Sequence, residues 1–388
     1  MSRSVLLPAL AGLLFFPSLA HAQSSLFPPR TTLPDGTQAA LSANLAWDVS
    51  HLATDGEADR HADDWRRQEI GLVVRKPDAY DLQVFYDLHN KMWLGVVVGL
   101  PTASLLPGGS GRLEVGNIKL AAGLEGIAPT RHMPLMESAA ATQVFHPMVR
   151  GGINWTQTSD RWLLDIGAFG RDIDGFYQGT TMLVRAAWTA GNTRGAHGHL
   201  GLSLSRDTPR HSADTGLPDG GTVRWASRGV ASLLPDRLAD SGLLPGVAHV
   251  HRQNLQGMWI NGPYWLQGEY FAQQTQRDHG LPDYRGHGGY LTAGWVLGGP
   301  SRRIVQGMLF QPAVSSGQTT AELVVRAGTV DLDDAGIHGG QLREWTWGGN
   351  LYLGPHLKLQ ANLSQMHLER AGLHQHTRAL QLRTQLFF

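Results

Sequence analysis

Arginine offers the most chemistry in this 388-residue chain. Lysine stands only at 76, 91, 119 and 358, so 28 of the 32 basic residues are arginine. A guanidinium is planar, does not lose its charge, and grips an oxyanion through two parallel N–H groups. Fixed in a row that faces water inside a low-dielectric wall, such groups draw small anions in and hand them on. Alternation puts Arg67, Arg75, Arg150, Arg185, Arg252, Arg326 and Arg383 on the polar faces of their segments. Lys119 and Arg131 stand at the mouth of a long segment between 120 and 147. Glu69 shares a face with Arg67, and Glu322 with Arg326, so these arginines read equally well as structural ion pairs. Arg150, Arg185 and Arg383 have no acid on the same face within two positions, which makes them the first choice for anion contacts.

Histidine suggests a different chemistry. Three His-x-His pairs occur, His197/His199, His249/His251 and His374/His376. Two histidines one residue apart point the same way on a strand, which suits a metal ion. With no Cys in the chain and no third ligand evident near any pair, they read as solvated loop histidines, and no metal or cofactor is assigned. Nor is an enzyme expected: thiol nucleophiles are absent, and no Gly-x-Ser-x-Gly elbow supports a lipid-cleaving serine. Basic and acidic residues both number 32, so no bulk positive field points to nucleic acid.

The elements that must carry these side chains have a period of two. Leu380, Leu382, Thr384, Leu386 and Phe388 share one face, and Gln381, Arg383 and Gln385 the other. Residues 357–364 and 322–327 alternate in the same way. Glycine is abundant at 48 residues and charged residues make up only 16%, a balance unlike that of a helical enzyme or a disordered chain. Strands of about ten residues between turns are the signature of a transmembrane β-barrel. A soluble sandwich would alternate too, but it has no reason to end on an aromatic residue. Here Phe388, with Leu386, Leu382 and Leu380 stepping back, has the form of a signal for the barrel-insertion machinery, and tryptophans and tyrosines gather near strand ends as interface girdles require.

Sixteen antiparallel strands are expected, at 37–48, 66–75, 80–88, 91–100, 111–119, 148–157, 161–169, 180–190, 195–206, 251–261, 263–273, 287–297, 319–331, 342–353, 357–368 and 378–388. An even number returns both ends of the barrel to the periplasmic rim, where short turns at 76–79, 158–160, 190–193, 261–263 and 354–355 fit. Segments 101–110 and 298–318 are long for that rim and are where the count could fail. Residues 120–147 are expected to fold into the lumen, whereas 207–250 reads equally as an inward loop or a mobile outer one. Residues 1–22 read as a cleaved secretory signal: Arg3 is the basic start, Val5 to Leu19 the apolar core, and Ala20-His21-Ala22 the cleavage site. Residues 23–36 then form a short periplasmic segment and 37–388 the barrel. Pro8 and Pro17 interrupt a run already short for a spanning helix.

The sequence resembles the phosphate-selective porin O and P family of outer-membrane channels. The likeness runs from about residue 37 to Phe388 and is carried by pieces in a fixed order. These are Arg66-Arg67-Gln68-Glu69-Ile70-Gly71, Tyr80-Asp81 and Tyr86-Asp87, then Val115-Gly116-Asn117-Ile118-Lys119 with Gly123-Leu124-Glu125. Met136-Glu137, Pro147 with Arg150-Gly151, Gly262-Pro263-Tyr264-Trp265-Leu266-Gln267-Gly268-Glu269-Tyr270 and Glu322-Leu323-Val324-Val325-Arg326 follow. The resemblance implies a trimeric sixteen-stranded porin in the lipid of a bacterial outer membrane, passing small inorganic anions such as phosphate or polyphosphate past an arginine row and inward loops. The chain departs from the family at Leu120-Ala121-Ala122-Gly123, where Pro-Phe-Gly is usual, and with only four lysines the full lysine cluster of strongly phosphate-selective members is hard to assemble. A weakly selective general porin and a structural or adhesive barrel with a closed lumen are the alternative functions.

Overall fold

A computed structural model describes residues 29–388 apart from 107, 192–195, 211–220, 231–232 and 234–236. The expected signal at 1–22, and residues 23–28 of the segment 23–36, lie outside the described residues. A short strand β1 (Arg30–Thr32) pairs with the start of β2 (Gln38–Thr54). The barrel continues through β3 (Arg60–Lys76), β4 (Tyr80–Asp87), β5 (Met92–Thr102), β6 (Ser110–Lys119), β7 (Val149–Thr158), β8 (Trp162–Phe169), β9 (Gly179–Gly191) and β10 (Ala196–Pro209). A strand β11 (Gly221–Ser227) lies against the first part of β12 (Ala239–Asn261), which is followed by β13 (Tyr264–Arg277) and β14 (Tyr284–Leu297). A small hairpin, β15 (Arg303–Val305) and β16 (Met308–Phe310), precedes β17 (Thr319–Asp334), β18 (Ile337–Leu353), β19 (Leu357–Arg370) and β20 (Leu373–Phe387).

Sixteen of these strands form one closed antiparallel sheet, and each coincides with an expected one. β20 closes it by pairing with β2 from Asn44 opposite Phe387 to Thr54 opposite Thr377. Closure leaves no unpaired edge, which a bilayer requires because it offers the backbone no hydrogen bonds. The alternation sorts the side chains as expected. Leu323, Leu363, Leu380, Leu382 and Leu386 point outward and exposed, while Glu322, Asn362, Gln381 and Arg383 are buried inside. Aromatic pairs mark the outer surface near the terminal rim: Trp162 lies opposite Trp188, and Tyr264 stacks on Trp295 at 6.0 Å. Several strands are longer than the sequence suggests. β2 and β3 have 17 residues each and β12 has 23, whereas about ten cross a bilayer, so the wall rises beyond the membrane at the loop rim.

Three segments fold into the lumen. The first, 120–148, contains a 3-10 turn (Thr130–His132) and a helix α1 (Ala140–Phe145). Phe145, Val144 and Ala141 pack on Phe271, Tyr290 and Val330 of the inner wall. The second is 227–230, which settles over α1: Gln143 donates to the Gly229 carbonyl at 2.8 Å and Gln381 to that of Val230 at 2.9 Å. So 120–148 turns inward, and of 207–250 the described residues 227–230 do. The third is 298–318, whose length made the strand count doubtful. It is a periplasmic-side connection, and its hairpin β15–β16 turns back into the barrel. Arg185 donates to the Gly307 carbonyl at 3.2 Å, and Phe310 lies against His132 with ring centroids 4.2 Å apart. The first and third segments therefore meet inside the lumen.

Candidate channel constriction

The candidate constriction begins with an irregularity in β3. Ala46 lies opposite Arg67 and Asp48 opposite Asp64, so β3 carries an extra residue at this point. A bulge of this kind re-aims side chains, and here it turns Arg66 inward alongside Arg67. Arg66 lies 3.5 Å from Glu137 of the first inward segment, and Arg67 lies 3.8 Å from Glu69. Glu69 also accepts hydrogen bonds from Asn44 at 2.7 Å and from the Thr130 hydroxyl at 3.1 Å, which ties the inward segment to the wall. Lys119 donates to the Ala128 carbonyl at 3.4 Å, and both it and Arg131 lie within the field of Glu69. Four cations thus meet two carboxylates, and Glu137 is already shared with Arg383.

The arginines expected to be free are not free. Arg383 is bidentate to Asp48, at 2.7 Å on both contacts, and donates to the Met136 carbonyl at 2.8 Å. Arg185 lies 3.6 Å from Asp165. In both cases the acid sits directly opposite on the neighbouring strand, where a search along one strand does not look. Arg150 is buried with its guanidinium 3.6 Å from the centre of the Tyr177 ring, a cation–π contact, and donates to the Val149 carbonyl. Arg252 pairs with Asp207. Arg326 does pair with an acid, but with Glu125 of the inward segment instead of Glu322, and it also donates to the Glu137 carbonyl at 3.0 Å. Arg75 stays exposed, opposite Asp81 on β4. Arg185, Arg326 and Arg383 therefore hold the inward segments in place.

Glu322 belongs to a residue the spacing did not reveal. Arg302, from the periplasmic-side segment, reaches it with bonds of 2.6 and 2.8 Å and donates to the His132 carbonyl at 2.8 Å. Trp265, Asn350 and Tyr352 each donate to the same carboxylate at 2.8 Å. Lys358, beside them, donates to the carbonyls of Arg131 at 2.8 Å and Met133 at 3.2 Å. Arg66 and Arg302 were missed for different reasons: Arg302 lies in no alternating segment, and a bulge hides Arg66. Lys358 was legible, on the polar face of 357–364, but its contacts with the inward segment were not. The run Arg66-Arg67-Gln68-Glu69, polar at four consecutive positions, was the available sign that the period of two is interrupted there.

Water reaches one side of this interior. The inward residues of β17 to β20, among them Glu322, Arg326, Lys358, Gln360 and Arg383, are covered by the inward segments. On β3, β4 and β6 the inward Arg67, Glu69, Gln83, Arg112 and Glu114 remain partly exposed. Arg112 is balanced by Asp81 and Glu114. The excess positive charge beside this wall is therefore the group of Arg66, Arg67 and Lys119 from the strands and Arg131 from the inward segment, each partly buried. The histidine pairs stand apart from it: His199 is buried against Thr189 at 3.4 Å, and the His249 and His251 rings lie 6.4 Å apart on β12.

Comparison with known proteins agrees with this picture. The family model for phosphate-selective porins O and P matches residues 40–388. Among solved structures, an anion-selective porin from Comamonas acidovorans superposes with a TM-score of 0.60 at 12% identity, covering 91% of this chain and all of that one. OmpT of Vibrio cholerae gives 0.57 at 8% identity, covering 92% and 99%. The outer-membrane channel DcaP of Acinetobacter baumannii gives 0.55 at 10%, with the same coverage. An uncharacterized protein of Caulobacter vibrioides is 26% identical over 229 residues, 54% of this chain and 44% of that protein, so the match spans less than half of that relative.

Proposed function

The chain belongs to the phosphate-selective porin O and P family and is an outer-membrane β-barrel porin, and from that premise we propose that it passes small inorganic anions by passive diffusion. The observation that supports this is the group of Arg66, Arg67, Lys119 and Arg131, whose charge exceeds that of Glu69 and Glu137. Three of the four are guanidinium groups, whose forks fit oxyanions such as phosphate. Only one lysine stands among them, which favours weak, quickly released binding over a tight phosphate site. Family and fold point to a channel and not to an enzyme. We infer a homotrimer as the assembly, in keeping with an OmpT structure described as a trimer form, delivered to the membrane by insertion machinery that reads the strand ending at Phe388.

Planar-bilayer recording of the refolded protein in a KCl gradient tests the reading. A reversal potential favouring chloride, with the current reduced by added phosphate, is the expected result. A cation-favouring or unselective current would leave a general porin, and the absence of current a barrel whose lumen the inward segments close.

A further inference from the structure

We propose that the outer end of the β19–β20 hairpin is a binding site for a borderline divalent metal ion of the zinc, nickel or copper class, held by His367, Glu369 and His374. It rests on the topology of this hairpin and not on the transport reading. The pair His374/His376 supplies two imidazoles on one strand, and the hairpin supplies the rest. Ala371 and Gly372, both at positive φ (49° and 81°), make a two-residue turn of the kind that fixes hairpin register. That register sets Glu369 opposite His374 and His367 opposite His376. Met366 and Leu368 are buried towards the lumen, so His367 and Glu369 alternate to the outer surface, above the band of Leu363, Leu380 and Leu382.

The ligand atoms of the three residues all lie within 4.8 Å of one another. His367 Nε2 is 3.0 Å, and His374 Nδ1 3.9 Å, from the same Glu369 carboxylate oxygen. Metal–ligand bonds near 2.0–2.2 Å in a tetrahedral array put donors about 3.3–3.6 Å apart, so the observed spacings bracket what an ion requires. Two imidazoles and one carboxylate suit a borderline first-row ion and not calcium or magnesium, which take oxygen ligands. His376 Nδ1 lies 3.2 Å from His367 Nδ1 and can fix that ring while its Nε2 faces the ion, the support that ligating histidines commonly have. The side chains of His374 and Glu369 are 64% and 40% exposed, so the site is open to the outer medium. Arg343, opposite His367 on β18, is the opposing charge that keeps the affinity moderate.

Calorimetric titration of Zn2+ into the folded, detergent-solubilised full chain tests the site. One saturable ion per chain is expected. His374→Ala and Glu369→Gln should each weaken binding by tenfold or more, and His376→Ala by about tenfold through loss of the supporting contact. Arg343→Gln should tighten it, and His249→Ala should leave it unchanged. Heat-dependent gel migration reports whether each variant is folded. As a second measurement on the wild-type chain, bound Cu2+ should show spin-resonance splitting from two nitrogens. The proposal is overturned by the absence of saturable binding, by binding that survives both His374→Ala and Glu369→Gln, or by a copper signal without nitrogen splitting.

Discussion

His146 clasps Leu120 across the neck of the first inward segment. The Met148 backbone N–H donates to His146 Nδ1 at 3.1 Å, so the ring proton sits on Nε2, which donates to the Leu120 carbonyl, also at 3.1 Å. One neutral imidazole therefore ties together the points where the chain leaves β6 and enters β7. Burial, aided by the nearby positive charge of Lys119, lowers the pKa of this ring from 6.5 to about 3. A lowered histidine pKa means that the neutral form supports the fold. That support is complete above pH 6.5 and is lost as the pH falls from there towards 3. Acid conditions should accordingly loosen the segment, seen as greater open-channel noise at pH 4.5 than at pH 7.5. His146→Ala, already unclasped at a cost of about 1–3 kcal/mol, should be noisy at both values. Equal noise in the two proteins at both pH values would remove His146 from this role.

Arg66 and Arg67 should govern selectivity, whereas Arg383 should govern stability. Replacing either of the first two by Ala removes partly exposed positive charge and should shift the reversal potential towards potassium, with little change in unfolding. Arg383→Ala leaves Asp48 buried without its cation, a loss of about 3–5 kcal/mol. Denaturant titration should show it. A larger selectivity shift in Arg383→Ala than in Arg66→Ala or Arg67→Ala would reverse the assignment.

The Arg302 to Glu322 contact should hold the periplasmic-side hairpin inside the barrel. Arg302→Ala strands a fully buried carboxylate, again costing about 3–5 kcal/mol, and should release β15–β16 from the lumen with a rise in conductance. Removing both charges in Arg302→Met with Glu322→Gln should recover part of the stability. Conductance unchanged in Arg302→Ala would show that the hairpin is held by other contacts.

Phe388 exchanges backbone hydrogen bonds with Ala43, at 3.0 and 3.2 Å, and its carbonyl accepts from the Ser42 hydroxyl at 2.7 Å. It thus takes part in closing the barrel, and on our reading it also ends the insertion signal formed with Leu380, Leu382 and Leu386. Phe388→Ala keeps the backbone bonds. It should therefore refold normally in detergent yet reach the outer membrane in reduced amount, measured by fractionation of expressing cells. Normal delivery would dismiss the signal role.

The strands were legible because lipid and water impose opposite preferences on alternate residues, and that pattern is local. It gave all sixteen strands, the lipid-facing leucines and the inward polar faces of β17, β19 and β20. It could not give ion-pair partners. Asp48 is 335 residues from Arg383 in the chain, and Glu125 is 201 from Arg326. No periodicity within one strand reports on a neighbour across the closure or on a loop folded from above. The bulge that turns Arg66 inward was hidden for a related reason, since it breaks the period on which the reading depended.

The sequence by itself determined the barrel, its strand number and its setting in the outer membrane, because each strand carries its own two-sided pattern. Only the tertiary structure decided which arginines are wetted and which are structural. That distinction depends on where segments 120–148, 227–230 and 298–318 come to rest inside the lumen, and their places are set by buried pairs such as Arg302 with Glu322 and Arg326 with Glu125, which form only once distant parts of the chain have closed around them.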